Sequence, residues 1–438
     1  MEPLGDWRRS KYASEISTED FDKEVTVAGW IQDIRNLGGI AFILLRDKTD
    51  VLQVTAIKKH HGKEFFKKIT TLPRESVIIV KGKVQPNEQV ASGFEVLPTD
   101  MKVLGMAKTP LPLGVIDKVD ADMDTRLDSR FIDLRKVEVA AIFKIRSTIL
   151  MAVREVFERE DFIEVHTPKI VATATEGGTA LFKATYFEKK AYLNQSPQLY
   201  KQMLMATGFD RVYEIGPAFR AEEHDTTRHL NEFTSIDIEM AFSDEEDAMG
   251  VLERCVYNAI LKTREKNENE MRILGADIDI PALPLQRITY NECLDMVKEG
   301  GVSMDWGEDF SMEAMKILGE KISDFFFITR WPTKSKPFYT QPFEDEPELC
   351  RAFDLQYKEK EITSGAQRVH DVELLKKRLE EQGLDPSDFT FYLDAFEYGM
   401  PPHAGWGLGA ERLTMILTGM QNIRECVLFP RDRKRLVP

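Results

Sequence analysis

Cysteine is scarce: Cys255, Cys293, Cys350 and Cys426 are the four in 438 residues, and no two form a CxxC pair. That pattern excludes a disulfide framework and a Cys-based zinc site, and it reads as reduced thiols in a cytoplasmic protein. Long apolar runs are also missing. Nothing approaches the ~18 residues that cross a bilayer, so no membrane role is expected. The start, MEPLGDWRRSKYASEIS, has no apolar segment behind its charges, which argues against a secretory leader. Positive charge is in deficit, with a net charge of −15. A protein that holds phosphates through its overall field should be basic. Any RNA must therefore be held by local patches and base contacts. The terminal RDRKRLVP is one such patch, or equally a solvated tail. Internal repeats and low-complexity tracts are absent. What is present, 42% hydrophobic and 30% charged residues, describes a globular chain long enough for two or three domains.

The first hundred residues alternate apolar and polar in short runs. EVTVAGWIQDI, IAFILLRD, VLQVTAI, ESVIIVKGKV and GFEVLP with MKVLGM read as about five strands. An amphipathic stretch, KEFFKKITTL, lies between the third and fourth. That order is an OB-fold barrel, whose strand face commonly binds single-stranded nucleic acid, or a small β-barrel used as a spacer. AKTPLPLGVIDK reads as a hinge. The expected division is a barrel over 1–104, a linker over 105–130 and a large mixed α/β domain over 131–438. Within the last, 243–340 is charged and reads as helices packed on the outside.

Three blocks carry the chemistry. The first is a long helical pattern, VEVAAIFKIRSTILMAVREVFERE, leading into FIEVHTP, a strand ended by Pro168. The second is GPAFRAEEHDTTRHLNEFTSIDIEMAF, at 216–242. On one strand, Arg220 and Glu222 would share a face. A loop with Arg228 and His229 follows, then a return strand carrying Phe233, Asp237 and Glu239. Such a pair of strands can clamp a triphosphate. The third is GWGLGAERLTMIL, at 405–417, where small residues admit a flat base and Arg412 reaches phosphates or stacks. Alone, FRxE is also a surface ion pair, and GLGAER an ordinary strand–helix turn.

Taken together and in this order, the blocks resemble motifs 1, 2 and 3 of the class II aminoacyl-tRNA synthetases. QSPQLYKQ, TATEGG, FDLQYKEKEITSGAQRVHD, YGMPPHAGWGLGAER and LFPRD are similar to the aspartyl enzymes, in the class IIb archaeal and eukaryotic branch. The resemblance covers nearly the whole chain. It implies an N-terminal OB-fold β-barrel and an α/β (α+β) catalytic domain on a mainly antiparallel sheet. Residues 243–340 then become an insertion of helices between motifs 2 and 3. The implied activity is aspartate–tRNA ligation, in which L-aspartate and ATP give aspartyl-adenylate and the aspartyl group passes to tRNA(Asp). Charging of tRNA(Asn) is left open.

The resemblance also implies roles. Arg220 would contact the α-phosphate, and Glu222, Arg228, His229 and Leu230 would hold the rest of ATP. Arg412 and Phe233 would sandwich adenine, beside Gly409 and Glu411. Asp354, Glu361 and Ser364 would bind Mg²⁺ with ATP, and Ser364 would also border the aspartate. Lys201 and Arg368 would face the aspartate carboxylate. Gln198 and Asp237 would take the ammonium group and orient the lysine. Glu176 would close as a lid, and His403 would approach the substrate carboxylate. In the barrel, Arg35, Phe42, Gln53 and Gln32 would read the anticodon, although Phe42 is equally a core aromatic until its exposure is known. A cytoplasmic homodimer is implied. An asparaginyl enzyme is disfavoured by Lys201, and an inactive tRNA-binding paralogue by the presence of Arg220, Glu361 and Arg412. An asparagine synthetase paralogue is disfavoured by the barrel.

Overall fold

The computed structural model describes every residue except 117–120, 173–179, 224–225 and 323. The chain divides into two compact units, Met1–Thr125 and Arg126–Pro438. In the first, β1 (Glu24–Asn36), β2 (Ile40–Arg46), β3 (Val51–Ile57), β4 (Val77–Pro86) and β5 (Phe94–Gly105) close into a barrel of order β1-β2-β3-β5-β4. Helix α1 (Lys58–Thr70) stands between β3 and β4, as expected. Alternation sets the faces. Ala41, Ile43 and Leu45 of β2 and Leu52, Val54 and Ala56 of β3 point into the core. Phe42, Leu44, Gln53 and Thr55 therefore point outward.

Short helix α2 (Met123–Asp128) begins at the end of the first unit, and in the second unit α3 (Arg130–Asp133) precedes the long α4 (Val137–Arg159). Strands β6 (Ile163–Glu164), β7 (Ile170–Val171), β8 (Lys183–Tyr186) and β9 (Lys189–Leu193) lead to α5 (Gln198–Met203). The hairpin β10 (Arg211–Phe219) and β11 (Glu232–Ala241) is followed by α6 (Glu245–Lys266) and α7 (Glu268–Leu274). Then come β12 (Gln286–Thr289), α8 (Tyr290–Glu299), α9 (Met312–Lys321), β13 (Phe325–Pro332), β14 (Leu349–Tyr357) and β15 (Lys360–Gln367). Helices α10 (Val372–Glu381) and α11 (Thr390–Glu397), strand β16 (His403–Gly409) and helix α12 (Ala410–Thr418) complete the unit. Eight strands form one sheet, ordered β12-β13-β14-β15-β16-β11-β10-β6 and mostly antiparallel. Helices α4 and α6 cover one face, burying Ile145, Ile149 and Phe157 with Val251, Leu252 and Cys255 against Ile238, Trp406 and Leu408. At about 25 cal/mol per Å² this apolar burial dominates the stability of the unit. The opposite face carries the polar residues of the site.

Three expectations are corrected. Residues 243–340 are not an outer layer of helices. Helix α6 is central to the core, while β12 and β13 belong to the sheet. The run FFFI is fully buried, so it lacks the alternation that marks a strand with one wet face. The linker ends before residue 130: Arg126 pairs with Asp133 and Glu425, and Arg130 pairs with Asp133 and donates to the carbonyls of Val427 and Leu428. The basic tail is not wholly free, because Arg435 pairs with Asp128 at 2.6 Å and Asp432 holds Arg424 at 2.6 Å, while Arg433 is exposed. The cysteines are all free and all buried.

Candidate active site

One face of the sheet opens into a cavity of about 340 Å³. Most of the residues expected in the site line it, from Gln198 through Arg220, Glu361 and Arg368 to Arg412. Strand periodicity explains the gathering. On β11, Ile236, Ile238 and Met240 enter the core, so Asp237 and Glu239 face the other way. On the neighbouring β16, Ala404, Trp406 and Leu408 are core and the glycines alternate with them. The glycines make room for carboxylates as much as for a base. A Cβ on Gly405 would meet Glu239 Oε2 at 2.3 Å, and one on Gly407 would meet Asp237 Oδ1 at 3.1 Å.

One end of the cavity is cationic. Arg220, Arg228 and Arg412 surround His229, whose ring is pushed below its ordinary pKa by burial and then by these charges. A neutral histidine among three guanidinium groups suits a polyanion such as a triphosphate. The shared-face expectation for Arg220 and Glu222 fails, because β10 stops at Phe219. The Glu222 amide donates to the Arg220 carbonyl at 2.8 Å, which turns the chain. The Arg220 guanidinium lies 5.5 Å from the centre of the Phe233 ring. Arg412 donates to the Glu361 carbonyl at 3.0 Å. Leu230 is buried and contributes an apolar wall. Glu411 also borders the cavity, but its oxygens are occupied: they accept from Arg146 on α4 at 2.8 Å and from the Thr234 amide at 3.2 and 3.1 Å. It joins the three sequence blocks rather than offering a free ligand.

Asp354 and Ser364 pair across β14 and β15. The Ser364 hydroxyl donates to Asp354, and Lys336 contacts the other oxygen of Asp354 at 2.6 Å. Asp354 is thus buried and charge-paired, behind the donors that line the cavity. Glu361 lines the cavity with about half its side chain accessible. Withdrawal of solvent, then the like charge of Asp354, raise its carboxyl above the ordinary range. Glu361 and Ser364 are oxygen donors, the kind magnesium prefers when it shares its shell with phosphates. The raised carboxyl is relieved by a cation, so these two residues fit the ion. Among the described residues, no group of three His, Cys, Asp or Glu side chains gathers as an all-protein metal cage. Sequence reasoning missed Lys336, whose only signal was one lysine in KSKPF.

At the opposite end, four charges interlock. Lys201 Nζ contacts Asp237 Oδ1 at 3.0 Å, the Trp406 carbonyl at 3.0 Å and Glu239 Oε2 at 3.5 Å. Arg368 grips Glu239 through Nε at 2.9 Å and Nη2 at 3.4 Å, and gives Nη2 to the Gly405 carbonyl at 2.8 Å. Burial alone would raise the Glu239 carboxyl, but Arg368 and Lys201 outweigh it and hold it below the ordinary range. Two cations and two carboxylates leave this end balanced. Lys201 is 2% exposed and stands behind Asp237, which lines the cavity. Arg368 does line it, and among the described residues nothing accepts from its Nη1. Glu239 was missed as a site residue, although its spacing of two from Asp237 was the available signal. His403 is fully buried and away from the cavity lining. Glu176 lies outside the described residues.

In the barrel unit, Phe42 is half-buried on the outer face, opposite Arg35 on β1 and Thr55 on β3. It is absent from the barrel core, which decides between the two readings. Gln53 donates to Glu95 at 2.8 Å on the same face. Gln32 is the extra residue of a β-bulge between Ile31 and Asp33, a device that re-aims a side chain.

Comparison with known proteins agrees with this geometry. Residues 122–433 match the family described as tRNA synthetases class II (D, K and N), and 25–104 match the OB-fold nucleic acid binding domain. The chain is 55% identical to a protein of Methanocaldococcus jannaschii named aspartate--tRNA(Asp/Asn) ligase, covering 99% of each. It is 53% identical to the protein of that name from Archaeoglobus fulgidus, covering 98% of this chain and 99% of the other. Among solved structures, the asparaginyl-tRNA synthetase of Pyrococcus horikoshii with asparaginyl-adenylate is similar at a TM-score of 0.92 and 34% identity. That match covers 98% of this chain and 100% of the other. The aspartyl tRNA synthetase of Entamoeba histolytica gives 0.87 and 33%, covering 98% and 93%. With its second unit matched almost end to end and full-length relatives above half identity, the chain belongs to the class II tRNA synthetases of the D, K and N group.

Proposed function

We propose that this enzyme ligates L-aspartate to tRNA(Asp), working in the cytoplasm. The observation that carries the reading is one cavity with two differently charged ends. The cationic end around His229 suits ATP, and the balanced end offers Asp237 and Gln198 to an ammonium and Arg368 Nη1 to a carboxylate. Placed between them, the aspartate α-carboxylate attacks the α-phosphate in line, and pyrophosphate leaves to give aspartyl-adenylate. Arg220 stabilises the charge developing on phosphorus. The nucleophile belongs to the substrate, so catalysis by the protein is positioning and electrostatics. Glu361 and Ser364, backed by Asp354, would hold Mg²⁺ with ATP, which supplies charge neutralisation on the phosphates when bound. A ribose hydroxyl of the tRNA 3′ end then attacks the aspartyl carbonyl, and AMP leaves.

Phe42, Arg35, Gln53 and Gln32 form the proposed anticodon-reading face, where aromatic stacking and base-edge contacts select single-stranded bases. A homodimer is part of the proposal. Val137 and Met151 along the first motif, and Phe131 just before it, are exposed, which suits a second copy of the chain. Charging of tRNA(Asn) as well is a second reading, favoured by the names of relatives above 50% identity. Aspartate-dependent ATP–pyrophosphate exchange tests the first step. Charging of tRNA(Asp) and tRNA(Asn) transcripts with labelled aspartate tests the second. Exchange with asparagine instead of aspartate overturns the reading, and charging of tRNA(Asp) alone removes the second one.

A further inference from the structure

Behind the amino acid end of the cavity lies a chain of hydrogen bonds with one direction. His403 Nδ1 lies 2.8 Å from the Pro401 carbonyl, which can only accept, so Nδ1 carries a proton. The ring is fully buried, and burial pushes its pKa down to about 4, so it is neutral and Nε2 is an acceptor. Gln202 Nε2, 3.1 Å away, must then be the donor. Its carboxamide is oriented by that bond, and Gln202 Oε1 accepts from Gln198 Nε2 at 2.8 Å. Gln198 lines the cavity. With its nitrogen committed inward, its oxygen is left for the cavity, and among the described residues nothing donates to that oxygen. Each amide orientation follows from the Pro401 carbonyl, so the series does not depend on telling oxygen from nitrogen in either side chain.

We infer that Gln202 and His403 are positioning residues that lock the Gln198 carboxamide with its oxygen toward the cavity, as an acceptor for the substrate ammonium. The inference rests on the proposed binding of aspartate there. Neither residue touches the substrate. A freely rotating Gln198 would present its NH₂ group to an ammonium half the time and would lose the bond. Gln202 is itself fully buried, and besides His403 and Gln198 its carboxamide meets the buried Tyr392 hydroxyl.

The test is steady-state ATP–pyrophosphate exchange on the full chain with His403→Leu, Gln202→Met and His403→Gln. Loss of one oriented hydrogen bond corresponds to about tenfold. His403→Leu and Gln202→Met should raise the aspartate KM about tenfold and leave the ATP KM within about twofold. His403→Gln keeps an acceptor near the Nε2 position and should stay within about threefold of wild type. Succinate, which keeps both carboxylates and lacks the ammonium, should compete equally well in all variants. Equal aspartate KM values in His403→Leu and His403→Gln overturn the inference. So does a parallel weakening of ATP, which marks a distorted fold. Wild type that fails to exchange with aspartate overturns the functional reading instead, which separates the two failures.

Discussion

The Glu411 carboxylate sits 2.8 Å from an Arg146 guanidinium nitrogen and also receives the Thr234 amide. One buried side chain thereby pins the last helix to the motif 2 strand and to α4. Glu411→Gln replaces an acceptor-only group with one that must donate, and it leaves Arg146 underpaired. Unfolding stability should fall by about 2 kcal/mol, the scale of a hydrogen bond to a charged group. Chemical denaturation measures it, and an unchanged midpoint contradicts the pinning role.

Arg220→Ala should cut aspartate-dependent exchange by about 10² to 10³, since it removes a charge contact made as bonds change at phosphorus. The aspartate KM should move little. Exchange within a few-fold of wild type would place Arg220 elsewhere than the α-phosphate.

Lys201→Met strips a cation from a cluster that then holds Asp237 and Glu239 against Arg368 alone. Breaking a buried pair on one side costs about 3 to 5 kcal/mol. The variant should lose stability at neutral pH, and aspartate activation should fall as the cluster rearranges. Arg368→Leu should lower aspartate activation far more than ATP affinity. Melting curves and exchange kinetics for both variants decide it. A Lys201→Met protein of wild-type stability would show that the ion pairs contribute nothing.

Acid should weaken the fold through His403. Its folded pKa is about 4, against roughly 6.5 for an unfolded histidine. Between those values the unfolded chain binds the extra proton, so stability drops as pH falls from about 6.5 to 4. The full loss is on the order of 3 kcal/mol. Unfolding free energies of wild type and His403→Gln across that window should converge in acid, and parallel curves would remove His403 from the account.

Phe42→Ala should weaken tRNA charging and leave adenylate formation intact. A stacked base contributes roughly 1–3 kcal/mol, or about fivefold to 150-fold in kcat/KM for tRNA. If both activities fall together, the substitution has damaged the barrel.

Much of this was legible because period-two alternation and short motifs are local signals. Alternation gave the barrel strands but left the side of Phe42 open until its exposure was known, and the paired blocks gave Arg220, His229, Phe233 and Arg412. Charge partners were not legible. Lys201 reads as a substrate cation until Glu239, two residues past Asp237, is seen beneath it. Lys336 and Asp354 are 18 residues apart and meet across a loop between β13 and β14. The FFFI strand hid among charged helices because burial on both faces erases the alternation that reveals a strand.

The four buried thiols give this chain an internal reporter of opening. Cys255 lies in the main core, Cys293 and Cys350 in a second cluster beside β13, and Cys426 in a third near the C-terminus. Burial raises the pKa of all four, so the reactive thiolate is suppressed in the native state. A maleimide therefore reacts only with molecules that have opened locally. Site-resolved alkylation rates then rank three regions of the second unit by the free energy of their opening, without any engineered label.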